Sequence, residues 1–202
     1  MSMRLRLILI VSAFFALGAY VATLWLVPQP PVLRAMVVPG SKALVGGPFT
    51  LTDKTGKRVS DKDFRGRYML IFFGYTFCPD VCPTGLQTIS AALARLGPRA
   101  VKMAPIFITL DPERDTPQVL ADYLSNFDPR LIGLTGSPEE IAAVAKAYHV
   151  YHAKVAETGS PGDYLLDHSA IYFLMDEKGD YAGHFAYGVS PDELARGIAR
   201  LL

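Results

Sequence analysis

The sequence predicts an α/β fold in which helices cover both faces of one sheet. Two apolar runs, at 68–74 and 101–110, are typical of strands that are buried on both faces. Serine or threonine followed by proline begins three later segments of helical spacing, and this pair favours the start of a helix. Strands that alternate with helices in this way form layered α/β domains.

The predicted elements follow one another without an internal repeat. In chain order we predict a strand at 49–52, a central strand at 68–74, a helix at 84–96, a strand at 101–110, a helix from 116, a short strand at 131–135, a helix from 137, strands at 170–175 and 181–185, and a helix from 190. The helix at 84–96 has its leucine and isoleucine residues on one face, as a helix that covers a sheet requires. The run DEKGD between the last two strands predicts a hairpin.

Residues 7–27 contain no charge and are long enough to cross a membrane. As a helix they would span about 31 Å, close to the thickness of the hydrocarbon core. Arg4 and Arg6 precede the run and no charge follows it before Arg34, so the positive-inside tendency places residues 1–6 in the cytoplasm. The alternative is a cleaved signal peptide, whose apolar region is usually shorter, about 7–15 residues, and ends in small residues.

The remainder of the chain is expected across the membrane. Residues 28–42 are rich in proline and predict a semi-stiff linker, which leaves 43–202 as the folded domain. The prediction is therefore a single-pass protein of the inner (cytoplasmic) membrane whose domain faces the periplasm. The mitochondrial intermembrane space is the alternative setting.

The composition argues against two broad classes of protein. Half of the residues are hydrophobic, which argues against intrinsic disorder. The formal net charge is +1, with acidic and basic residues mixed along the chain. We therefore expect no nucleic-acid partner, because such proteins carry a concentrated basic surface.

The chemistry centres on the two cysteines of the chain, Cys78 and Cys82. They follow the strand at 68–74, and ligand sites of α/β sheets collect at such strand ends. One helical turn would bring the side chains to about 5–6 Å, which permits either a disulfide or a shared metal. A structural disulfide is an alternative, although so short a loop restricts the unfolded chain little. A closed zinc site needs four ligands, whereas two thiolates and an imidazole suit copper.

Four histidines could supply the imidazole. His168 is predicted in a loop before a strand, from which it could be aimed at the cysteine loop. Strand alternation would send His149 and His152 to opposite faces, and His184 is expected on the solvent face of the hairpin. The spacing favours His168 without excluding the other three.

Three motifs closely resemble those of the Sco/SenC family: GYTFCPDVCPT at 74–84, DPERDTP at 111–117 and DHS at 167–169. The resemblance extends from about residue 43 to the C terminus. A cysteine pair with this spacing is a weak signal by itself, whereas three motifs in the same order are a strong one. The family has a thioredoxin fold, usually behind one transmembrane anchor, so the resemblance implies both features here.

The resemblance also implies the site and its use. Cys78, Cys82 and His168 are the implied ligands of copper, as Cu(I) or Cu(II), and Asp111 is a secondary candidate near the metal. The implied function is that of a metallochaperone, rather than an enzyme, which delivers copper to the binuclear copper centre of cytochrome c oxidase or matures it. The expected partners are the copper-bearing subunit of the oxidase and a second copper chaperone or a thiol reductase.

Two other functions would use the same thiols. A membrane-tethered thiol–disulfide oxidoreductase would reduce the cysteines of the oxidase subunit and would not need His168. Thioredoxin-type reductases have two residues between their cysteines, however, and here there are three. A peroxiredoxin-like enzyme shares the fold class but needs a peroxidatic cysteine in a different setting. For a copper site, the reduced pair should receive the metal and the disulfide should exclude it, because the thiolate is the ligand.

Overall fold

The computed structural model describes residues 45–156 and 164–202. The strands are β1 Thr50–Asp53, β2 Arg58–Ser60, β3 Tyr68–Gly74, β4 Met103–Thr109, β5 Ile132–Thr135, β6 His152–Ala156, β7 Tyr164–His168, β8 Ile171–Met175 and β9 Tyr181–Ala186. The α-helices are α1 Val81–Leu96, α2 Pro117–Leu124, α3 Pro138–Ala147 and α4 Pro191–Ala199. Two 3-10 helices, Asp61–Phe64 and Gly97–Lys102, precede β3 and β4.

The main sheet has seven strands in the order β2-β1-β5-β4-β3-β8-β9. β3, β4 and β5 run parallel, and the strands outside them are antiparallel to their neighbours. β3 and β4 lie at the centre of the sheet and are buried almost throughout, as their continuous apolar sequences predict. The α/β prediction is confirmed.

Helices cover both faces of this sheet, as predicted. Alternate residues of β3 enter two separate cores, because successive side chains of a strand point to opposite faces. Ile71 packs in the core that contains Ile141 of α3. Phe72 packs in the other core, which contains Leu86 of α1 and Leu194 of α4.

The helix starts follow the sequence closely. The side chains of Thr116, Ser137 and Ser190 cap α2, α3 and α4 by accepting a hydrogen bond from the backbone three residues later, and proline follows each of them. Two predicted starts differ from the structure by more than one residue. α1 begins at Val81 rather than near residue 84, and β4 begins at Met103 because residues 97–102 form a 3-10 helix.

β6 and β7 form a separate two-stranded antiparallel ribbon. The prediction that His168 lies in a loop was wrong, because this residue is the last of β7 and pairs with His152 across the ribbon. The prediction that strand alternation sends His149 and His152 to opposite faces was also wrong. His149 lies between α3 and β6 with a φ of 55°, so the two residues do not share a strand.

The segments at 1–6, 7–27 and 28–42, predicted as cytoplasmic tail, anchor and linker, lie outside the described residues. None of the helices that the structure describes combines the length and apolar character needed to cross a membrane.

Candidate metal centre

The two cysteines lie where β3 gives way to α1. Cys78 is half-buried in the connecting loop, and Cys82 is fully buried in the first turn of the helix. The backbone N–H of Cys82 donates to the Cys78 sulfur over 3.4 Å. Cys78 lies before the helix, so this backbone-to-sulfur contact, rather than a full helical turn, keeps the Cys78 sulfur at the start of α1 beside Cys82.

The last residue of β3, Gly74, makes room for the buried sulfur. A Cβ at this position would lie 2.7 Å from the Sγ of Cys82 and 2.8 Å from the ring of Phe107. Both distances are too short for non-bonded contact, so the close approach of Cys82 to the sheet requires glycine here. The amide of Leu110 donates to the Gly74 carbonyl at 2.7 Å and ties the ends of β3 and β4 together.

A buried carboxylate fixes the start of the cysteine loop. Asp115 accepts hydrogen bonds from the Thr76 hydroxyl at 2.6 Å, from the Thr76 amide at 3.0 Å and from the Thr109 hydroxyl at 2.5 Å. Its side chain is fully buried, and burial raises the pKa of this carboxyl despite those hydrogen bonds. The sequence does not reveal this role, because an aspartate in a polar cluster before a helix also fits ordinary capping.

His168 completes the group from the end of β7. Its Nε2 lies 3.5 Å from the Sγ of Cys82, and its Nδ1 lies 3.2 Å from the carbonyl oxygen of Ser169. Because Nδ1 can donate to that carbonyl, Nε2 can present its lone pair to a metal held by the sulfurs, the usual arrangement of a metal-ligating imidazole. The ring makes a T-shaped contact with Tyr75 at a centroid distance of 5.9 Å.

The potential ligand atoms of Cys78, Cys82 and His168 all lie within 4.8 Å of one another. Within 45–156 and 164–202, no other cluster of histidine, cysteine or acidic side chains could hold a metal ion. Two soft sulfurs and one imidazole nitrogen suit copper by the chemistry of the donors.

The two thiols have different proton affinities. The hydrogen bond from the Cys82 side chain, helped by one from His168, lowers the pKa of Cys78 to about 4. The same interaction with Cys78, together with burial, raises the pKa of Cys82. Cys78 is thus a thiolate at neutral pH and Cys82 keeps its proton, so Cys82 must lose that proton to become a second thiolate ligand.

Asp111, the secondary candidate, is buried and held by other groups. One carboxylate oxygen pairs with the Nε of Arg114, and the other accepts from the Tyr164 hydroxyl at 2.7 Å. Asp111 does not belong to the cysteine–histidine group. Its role near copper stays a prediction, whereas its contact with β7, the strand that carries His168, is direct.

The remaining histidines lie apart from this group. His184 is exposed and its Nδ1 contacts the Tyr181 hydroxyl at 2.5 Å, as its predicted solvent position allows. His152 faces His168 across the ribbon but lines a different cavity, beside Asp111. His149 lies outside β6 and belongs to neither the group nor that cavity.

A mainly apolar cavity of about 380 Å³ opens beside the sulfurs. Cys78 and His168 line it, together with Val155, Tyr187 and other residues of the cysteine loop and the ribbon. Such a cavity gives a partner or a small molecule access to the half-buried Cys78, while Cys82 stays enclosed.

The model of the SCO1/SenC family matches residues 38–202, which is most of the sequence. The chain belongs to the SCO1/SenC family. The mitochondrial SCO1 homolog 1 of Arabidopsis thaliana is 42% identical over 160 residues, and the SCO2-like protein of Rickettsia prowazekii is 37% identical over 190. The aligned region spans 47% of the Arabidopsis protein and 93% of the Rickettsia protein, and 79% and 94% of this chain.

Solved SCO1/SenC structures share this fold. ScoI of Bradyrhizobium japonicum with copper bound is 51% identical, with a TM-score of 0.73 over 78% of this chain and 99% of its own. ScoI of Arabidopsis thaliana with copper bound is 41% identical, also with a TM-score of 0.73, over 77% of this chain and 96% of its own. The thioredoxin-like fold that the motifs implied is confirmed.

Proposed function

We propose that this protein is a copper metallochaperone that holds copper with Cys78, Cys82 and His168 and delivers it to cytochrome c oxidase. The observation that carries the proposal is the cysteine–histidine group, whose ligand atoms lie within 4.8 Å of one another. The copper-bound state of two related ScoI structures supports copper as the metal. Asp111 and its partners would support the site through their contacts with β7 rather than ligate the metal.

Reversible oxidation of the cysteines would control loading. Copper binds the reduced pair, which gives up its thiol proton at Cys82 as the second thiolate forms. Oxidation of the metal-free thiolate–thiol pair by a disulfide substrate removes two electrons and the Cys82 proton and forms the Cys78–Cys82 bond, and the substrate leaves as a dithiol after taking up one further proton from solvent. The disulfide sulfurs are no longer thiolates, so this form should not retain copper.

The setting that we propose follows from the N-terminal sequence. Residues 7–27 would anchor the chain in the inner membrane, and the linker 28–42 would carry the domain 43–202 on the periplasmic side. The copper-bearing subunit of the oxidase would then be the acceptor, and a copper chaperone or a thiol reductase on the same side would supply the metal or electrons.

Copper transfer tests this proposal. The reduced full-length protein, loaded with one copper and held in detergent, is mixed with the metal-free copper-binding domain of an oxidase subunit. We expect the copper to appear in the acceptor, which then shows the absorption of its binuclear centre. The baseline is the rate at which the acceptor takes up free copper in the presence of a chelator. Failure of the loaded protein to metallate the acceptor faster than that baseline would contradict a delivery function.

A thiol–disulfide oxidoreductase is the second candidate, and the asymmetry of the two thiols favours it. The Cys78 thiolate, with its pKa lowered to about 4, could attack a substrate disulfide, and buried Cys82 could resolve the mixed disulfide. The products would be the dithiol of the substrate and the Cys78–Cys82 disulfide. The reductase function predicts that His168→Ala still reduces an oxidised acceptor subunit, whereas the chaperone function predicts that this variant delivers copper poorly.

A further inference from the structure

His168 reaches the site on a ribbon that does not hydrogen-bond to the main sheet as a strand. β6 and β7 pair with each other, and neither joins the seven-stranded sheet. An isolated two-stranded ribbon is only marginally stable, so side-chain contacts with the body must hold it in place. The position of the imidazole relative to the sulfurs therefore depends on those contacts.

Arg114 makes such a contact with the ribbon. Its Nη1 donates to the carbonyl oxygen of Tyr164, the first residue of β7, at 3.0 Å, and its guanidinium carbon lies 3.8 Å from the centre of the Tyr164 ring. Asp111 orients both groups, because its carboxylate pairs with the Nε of Arg114 and accepts from the Tyr164 hydroxyl. These contacts bind β7 to the loop that follows β4.

The same guanidinium also contacts the cysteine loop. Its carbon lies 4.9 Å from the centre of the Phe77 ring and 5.9 Å from that of Tyr75. Phe77 directly precedes Cys78, and Tyr75 meets the ring of His168. The Nη2 atom of Arg114 is buried without a hydrogen-bond partner among the described residues, and cation–π contact with these rings offsets part of that cost.

We propose that Arg114 is a positioning residue that holds the ribbon carrying His168 against the cysteine loop. It does not ligate the metal; it sets how readily the imidazole joins the two sulfurs around copper. The inference rests on the proposed copper function. The shape of the guanidinium matters more than its charge, because a lysine ammonium cannot stack on the rings while bonding both Asp111 and the Tyr164 carbonyl.

The test is Arg114→Lys in the full-length, reduced, copper-loaded protein. Copper stoichiometry should stay near one per chain, because both cysteines remain. A chelator should remove the metal about 10–100-fold faster, the range found for groups that orient metal ligands, and the cupric absorption should shift toward that of His168→Ala. Wild-type chelation rate and absorption in Arg114→Lys would overturn the assignment.

Arg130→Lys is the matched control. Arg130 pairs with Asp128 through Nε at 2.8 Å and Nη2 at 2.6 Å, in the loop between α2 and β5. This substitution also replaces a paired arginine by lysine, but it does so away from the ribbon. It should leave the chelation rate and the absorption spectrum unchanged, and an effect equal to that of Arg114→Lys would overturn the specific role of Arg114.

A double substitution separates positioning from general loosening. If Arg114 acts through the imidazole, Arg114→Lys should not change the chelation rate further once His168 is alanine, since coupled residues are not additive. An equal additional acceleration in the His168→Ala background would overturn the proposal. Tyr164→Leu, which removes the stacked ring from β7, should reproduce the spectrum of Arg114→Lys. It replaces Arg114→Lys in this test if the Arg114→Lys protein does not fold.

Hydrogen exchange provides a readout that needs no copper. In the reduced, metal-free protein, Arg114→Lys should speed exchange of the β6 and β7 amides and leave those of β3 and β4 unchanged. Unchanged exchange in the ribbon would overturn the positioning role. If the ribbon loosens as expected but the wild type binds no copper, the proposed copper function fails while the structural role of Arg114 stands.

Discussion

The two cysteines and the histidine are held by very different parts of the molecule. The cysteine loop leaves the central strand β3, enters α1 directly and is fixed by the buried carboxylate of Asp115. His168 stands at the end of a two-stranded ribbon outside the main sheet. We infer that the sulfur positions are set by the core, whereas the imidazole position is set by a few side chains that can be altered without unfolding the domain.

Removal of either sulfur should have the largest effect on copper. Cys78→Ser and Cys82→Ser each leave one thiolate, which cannot hold the metal with the affinity of a pair. We expect copper stoichiometry after desalting to fall from about one per chain to near zero in both variants. Retention of a full equivalent by either variant would mean that the cysteine loop is not the metal site. Ser90→Ala in α1 is the control, because Ser90 is not part of the cysteine–histidine group, and this variant should keep its copper.

The second-largest effect is expected from a substitution that crowds the Cys82 sulfur. Gly74→Ala places a methyl group 2.7 Å from the sulfur and 2.8 Å from Phe107, so the core must shift. We expect a loss of about 3 kcal/mol in the free energy of unfolding, the upper end for overpacking, measured by urea denaturation. Gly183→Ala in β9 is the control, because no atom lies within 4 Å of an added Cβ there. Equal stability of the two variants would show that the core does not confine Cys82.

Loss of one bond to Asp115 should cost less. Thr76→Val removes the hydroxyl that donates to this carboxylate at 2.6 Å but keeps the backbone donor at 3.0 Å. We expect about 1.5 kcal/mol of destabilisation, the lower end for a hydrogen bond to a charged group. Thr50→Val, at an exposed position of β1, should cost far less. If Thr76→Val lowers the free energy of unfolding no more than Thr50→Val does, the Thr76–Asp115 hydrogen bond does not hold the cysteine loop in place.

The smallest expected effect is that of pH on Cys78. Because its pKa is lowered to about 4, the thiolate is already formed above about pH 5 and is lost only as the pH falls through 4. The rate of Cys78 alkylation by iodoacetamide, measured by peptide mass spectrometry, should therefore be nearly constant from pH 6 to 8. In urea the same rate should rise about tenfold per pH unit, as for an ordinary thiol of pKa about 8.5. A tenfold rise per unit in the native protein would contradict the lowered pKa.

The same contrast explains what the sequence could predict. β3, α1 and the cysteine spacing are local features, so the pattern of apolar residues and the four-residue spacing were enough to predict that the two sulfurs lie close together. β7 has no clean alternation, and its pairing with β6 depends on Tyr164 and Leu166, which pack against the body. That tertiary dependence is why His168 was predicted in a loop, and why the family resemblance was needed to prefer it over three other histidines.

Asp115 and Arg114 show the same limit. Both lie in a polar run that also fits a loop and a helix cap. Nothing in the local sequence reveals that Asp115 accepts a hydrogen bond from Thr76 or that Arg114 donates one to Tyr164. The partners are 39 and 50 residues away along the chain, so only the assembled fold brings them together.

The most direct test of the copper site compares the reduced full-length protein with its His168→Ala variant after loading with cupric ion. We predict about one copper per chain in the wild type, with sulfur-to-copper charge-transfer bands that shift or weaken in the variant. That result would place both sulfurs and the imidazole on the metal. Absence of retained copper in the wild type, or identical bands in the two proteins, would contradict the three-residue site.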